Sequence, residues 1–161
     1  MNGSEVQQHA ADVMLDRGVV VNIPAPKLYR FFGVKFVKHV LKRPKLGTLV
    51  AMSRISSELN IDLDALAEGS ISDAYVIMSE KGELVARFIA IALLNDKRRI
   101  ERCTDDLANR LLWHMPHEQL LELFMAIVVL SGVQNFLSTI RFIRQTNILK
   151  RTKMSQEESG S

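Results

Sequence analysis

The stretch that most limits the fold is residues 120–143, LLELFMAIVVLSGVQNFLSTIRFI. A segment this greasy crosses a bilayer, fills a core or waits for a partner, and its internal pattern discriminates among the three. Only Leu123 to Leu130, eight residues, are apolar without interruption, whereas a membrane span needs about twenty. Glu122 precedes the run, and Ser131, Gly132, Gln134 and Asn135 follow it. Beyond Gly132 the pattern turns amphipathic. Val133, Phe136, Leu137 and Ile140 share one side of a helix, and Gln134, Asn135, Ser138 and Arg141 share the other. The expectation is a buried helix over about 116–131, a bend or continuation at Gly132, and a surface helix to about 146, with no membrane span.

Upstream the chain also reads as helices from Leu46 onward. Leu49, Met52, Ile55 and Leu59 recur at three- and four-residue steps, predicting a helix over about 45–60. NIDLDALAEG (60–69) reads as a connector or a short helical turn. In 70–95, Ile71, Tyr75, Met78, Gly82, Val85, Ile89 and Leu93 form one helical stripe. The second half, LVARFIAIALL, is apolar on nearly all sides and should be central. Gly82 is the expected kink. Thr104 followed by Asp105 and Asp106 predicts the start of the next helix. Its stripe is Leu107, Ala108, Leu111, Leu112 and Met115, with Trp113 at the core edge, and Pro116 opens the helix after it.

The N-terminal third differs. GVVVNIP (18–24) is β-branched and bounded by Gly18 and Pro24, which reads as a strand. KLYRFFG places Leu28, Phe31 and Phe32 at helical spacing before Gly33. VKFVKHVLKRP (34–44) fits a strand or a helix face; the strand is favoured because 18–23 needs a partner. The expected fold is therefore mainly α, a compact helical bundle with a small N-terminal β-hairpin-like element. One globular domain is expected over 12–146, with a β-containing start (18–44) and a helical remainder (45–146). Flexible tails are expected at 1–11 and 147–161, the second basic and polar.

Charge is segregated. Arg17 to Arg54 holds nine Lys or Arg and no acid, whereas Glu58 to Glu83 holds seven acids and one base. Such blocks steer an acidic partner, face one another within the fold, or are simply solvated. Lys97, Arg98, Arg99 and Arg102 form the tightest basic cluster, assigned to an interhelical connector. Nucleic acid is the disfavoured partner, because aromatics are only 6% of the chain and mostly sit on apolar stripes. The single Cys103 excludes an internal disulfide and fits a reducing compartment. It is read as a bystander thiol. His114 and His117 straddle a helix break without a third ligand, so no metal site is assigned. Asp62 and Asp64 lack the rest of a calcium loop, and Glu118 with Glu122 lacks a nucleophile. No catalytic residue and no cofactor follows from any of these.

The order of features resembles a known family. Pro44-Lys45-Leu46-Gly47-Thr48-Leu49 opens a helix behind a short β-containing start. A long apolar helix follows, then a helix carrying Leu120-Leu121-Glu122-Leu123-Phe124, then Val133-Gln134-Asn135-Phe136. Across roughly 34–140 this is similar to the tail assembly chaperones of tailed bacteriophages and prophages. The resemblance implies a small helical, non-enzymatic factor in the bacterial host cytoplasm. Such a factor coats the aggregation-prone tape-measure protein during tail assembly. The apolar residues Phe136, Ile140, Phe142 and Ile143, with Arg98 and Arg99, are the expected partner-binding residues. A homo-oligomer contact is the alternative use of that apolar surface.

Overall fold

The computed structural model describes residues 17–60, 71–133 and 135–142, with side chains from Tyr75 onward in the second span. The expected tails, the 60–69 connector past Asn60, and Ile143 lie outside the described residues. The chain is mainly helical with one small antiparallel hairpin near its N-terminus.

Strands β1 (Val19–Pro24) and β2 (Phe36–Leu41) pair antiparallel, with Val19 opposite Leu41 and Pro24 opposite Phe36. Period-two alternation gives the ribbon two faces. Val19, Val21, Ile23, Val37, His39 and Leu41 turn towards the helices and are partly or fully buried. Val20, Asn22, Phe36, Lys38 and Val40 face outward. Gly18 precedes β1 at φ +79°, where a Cβ would collide with Val40 Cγ1. Between the strands lies α1 (Lys27–Phe31), which buries none of its residues.

The helical body follows: α2 (Leu46–Leu59), α3 (Ile71–Leu94), α4 (Lys97–His114), α5 (His117–Leu130) and α6 (Asn135–Phe142). Helix α3 is central and packs against α2, α4 and α5. Its second half is buried from Val85 to Leu94 except at Arg87, which pairs with Asp105 of α4 at 2.7 Å. Phe88 and Phe124 are fully buried and meet edge to face at 5.4 Å. Such a pair adds about 1 kcal/mol beyond the area it buries. The break in α3 is at Lys81 (φ −131°, ψ 28°), one residue before the glycine expected to carry it. Lys81 Nζ donates to the carbonyl of Leu59, the last residue of α2. A side-chain cation at a helix C-terminus also suits the dipole there.

Helix α4 starts earlier than expected. Asp96, not Thr104, is its cap, accepting from Arg99 N–H at 3.2 Å. Thr104 is buried in mid-helix and returns its hydroxyl to Ile100 O at 2.6 Å. Lys97, Arg98, Arg99 and Arg102 therefore stand on the first turns of a helix rather than in a connector. Cys103 is half-buried in mid-helix.

Helix α5 buries Leu120, Leu121, Leu123, Phe124, Ile127 and Val128. After it, Gly132 takes φ +65°, and the buried Ser131 hydroxyl accepts from Val133 N–H at 3.4 Å. The chain thus bends by 52° into α6, which decides between the bend and the continuation left open at Gly132. Among the described residues no single helix is long and apolar enough to cross a membrane; α5 and α6 reach that composition only as the bent pair.

Candidate functional site

The corner where α3 passes into α4 organises the surface. Asn95 sits in the left-handed region at φ 44°. Its Oδ1 accepts from Lys45 N–H at 2.9 Å and from Thr48 Oγ1 at 2.8 Å, and its Nδ2 donates to Arg43 O at 2.9 Å. Lys45 is the N-cap of α2 and supplies no side-chain cap of its own. From across the fold Asn95 instead satisfies the N–H of Lys45 itself, one of the donors that a helix start leaves open. It thereby holds the β2–α2 connection against the corner.

A cleft of about 600 Å³ lies between that corner and β2, lined among others by Lys38, Lys42, Lys45, Asp96 and Arg99. Lysines from the basic N-terminal third thus meet an arginine of the second basic cluster. Among the described residues none of the four cations has an acid partner. Asp96 is engaged at the α4 cap. His39 also lines the cleft. Burial, followed by the charges of Arg110 and Arg99, holds its pKa below the ordinary value of 6.5. Arg110 fastens the hairpin to α4: its Nη1 donates to Pro24 O at 3.2 Å while its Nε lies 3.1 Å from Asp106 Oδ2.

The second feature is aromatic. Phe31 is 86% and Phe32 74% exposed, and the two rings meet edge to face at 5.7 Å. Leu28, Tyr29, Val34 and Phe36 are exposed around them. Lys27, Arg30 and Lys35 are interleaved with these residues and are exposed too. Trp113, expected at the core edge, is 74% exposed. It lines a cavity of about 450 Å³ with Pro26 and Lys27. The expectation that aromatics mostly serve apolar stripes therefore fails at this end of the molecule. A five-residue helix held on a hairpin turn cannot reach the core, so its helical spacing buries nothing.

Of the residues expected to bind a partner, Phe136 and Ile140 are half-buried on α6, and Phe142 is exposed. Arg98 and Arg99 are exposed on the first turn of α4, and Arg99 alone of the set lines the cationic cleft. Lys38, Lys42 and Lys45 were legible only as part of a basic run. Among the described residues no three His, Cys, Asp or Glu side chains are grouped to hold a metal ion. His117 Nε2 instead lies 3.3 Å from Glu118, and its ring stands 6.1 Å from that of Tyr75. No family model, no curated protein and no solved structure matches this chain.

Proposed function

We propose that this chain is a non-enzymatic assembly factor that shields apolar segments of a protein client. The resemblance to tail assembly chaperones makes the tape-measure protein the client of choice. The observation that carries the reading is the exposed aromatic tip of the hairpin, Phe31 and Phe32 with Leu28, Tyr29 and Phe36. A cluster of large apolar side chains left in water marks an interaction surface rather than a core. Cations around it favour a client that mixes apolar and acidic residues.

Co-expression with the reading frames flanking the gene tests this. A long helical client should co-purify with the wild type and be lost from a Phe31→Ser/Phe32→Ser variant. Recovery of the chain alone, or equal recovery of the client by both proteins, refutes the reading.

A second reading has one observation in its favour: the two basic segments converge on one cleft along β2, the strand that begins at the exposed Phe36. Single-stranded nucleic acid suits such a surface. A filter-binding titration against salt decides, since phosphate contacts make affinity fall linearly on a log–log plot.

A further inference from the structure

We infer that the free edge of β2 is a docking site for an extended acidic peptide segment, which joins the hairpin as a third strand. Val37, Lys38, His39 and Val40 all line the cleft, as does Lys42. Consecutive strand residues point to opposite faces, so a cavity that touches all of them runs along the strand's edge. No β1 residue lines it. Among the described residues β1 is the only strand paired with β2, and the backbone of 36–41 makes no other hydrogen bond. From Val37 to Lys42 the edge runs five steps of ~3.3 Å, about 17 Å in all, room for a strand of ordinary length.

Charge selects the occupant. Lys38, Lys42, Lys45 and Arg99 oppose a single carboxylate, Asp96, which caps its own helix. Lysines on a short edge repel basic strands and must be desolvated against neutral ones, and so guard against indiscriminate pairing. The same lysines welcome a strand carrying carboxylates, which is specificity by repulsion of the wrong partner. The edge offers unpaired backbone donors and acceptors, and Val37 and Val40 supply aliphatic rather than aromatic walls. Those features suit a polypeptide better than a phosphate backbone. Strand addition draws its affinity from main-chain hydrogen bonds and its selectivity from alternate side chains.

The inference rests on the partner-binding reading above in requiring a polypeptide ligand, but it uses a different surface. It is tested with the full chain and a fluorescent peptide of alternating valine and glutamate, followed by anisotropy. The peptide should bind, more weakly as salt rises. Two N-methylated versions, blocked at alternate residues in the two possible registers, should differ. One should lose at least about tenfold, because only alternate N–H groups of an added strand face the edge. Lys38→Glu/Lys42→Glu, checked for folding by circular dichroism, should also lose at least about tenfold. A valine–lysine peptide should restore binding to that variant. Equal binding by both N-methylated peptides overturns the inference, as does failure of the charge swap. Tighter binding of a single-stranded oligonucleotide at every salt concentration overturns it too. Absence of peptide binding with client capture intact sinks this inference alone. Peptide binding without client capture sinks only the reading above.

Discussion

Replacing Asn95 should cost far more than its position on an exposed corner suggests. Its side chain makes three hydrogen bonds, to Lys45 N–H, Thr48 Oγ1 and Arg43 O. They are not of equal weight. Lys45 and Arg43 are exposed, so water refills the bonds to their backbone groups, and each is worth about 0.5 kcal/mol. Thr48 is only 3% exposed. Leaving its hydroxyl without a partner costs about 1–2 kcal/mol. The left-handed backbone at φ 44° adds about 1 kcal/mol for alanine and nothing for glycine. Asn95→Ala should therefore lose about 3–4 kcal/mol and Asn95→Gly about 2–3 kcal/mol. That is a large part of an ordinary domain's stability. With a urea slope of about 2 kcal/mol/M, the alanine midpoint moves by roughly 1.5–2 M. Far-ultraviolet circular dichroism in urea measures both variants. A glycine variant within about 0.5 kcal/mol of wild type would mean that the three bonds from Asn95 to the start of α2 are idle. An alanine variant no worse than glycine would mean that the backbone conformation imposes nothing.

Two glycines should respond in opposite directions in the same assay. Gly82→Ala should stabilise by up to about 1 kcal/mol, because its Cβ would meet only Leu112 Cδ1 at an ordinary 3.5 Å. Gly18→Ala should destabilise by about 1–3 kcal/mol, because its Cβ collides with Val40 at positive φ. Ser56→Ala should be neutral or stabilising by up to about 1 kcal/mol, since the buried Ser56 Oγ finds no hydrogen-bond partner among the described residues; a clear loss in urea would contradict this. His39 predicts an acid dependence. Its folded pKa lies below 6.5, so below that pH the unfolded chain binds the proton more readily, and stability falls as pH drops. In His39→Gln the stability-versus-pH curve should flatten in that range, and an unchanged slope would rule His39 out as its source.

Much of the architecture was readable because the forces behind it are local. Apolar residues at helical spacing marked α2, the centre of α3 and the buried face of α5. β-Branched residues between Gly18 and Pro24, with an alternating segment after them, marked the hairpin. What stayed hidden depends on contacts between distant residues. Nothing local marks Asn95 as an anchor, because its partners lie about fifty residues earlier. The start of α4 was misplaced because Thr104-Asp105-Asp106 has the composition of a cap, whereas Asp96 had already supplied one. Trp113 follows two leucines, and nothing local says that the helix turns it to water. The cleft was half visible: both basic segments stood out, but not that Lys38, Lys42 and Lys45 meet Arg99.

Trp113 has a practical consequence. It is the chain's one tryptophan, and its indole stands in water beside Pro26 and Lys27 of the hairpin turn. Because the ring is mostly exposed, its emission should already be that of a solvated indole, and denaturation should leave the colour almost unchanged. Coverage of the turn will not. A shift to the blue on mixing with another molecule reports desolvation at that spot without any attached dye, and a ligand bound solely along β2 leaves it silent. The molecule carries its own optical gauge for one of its two surfaces.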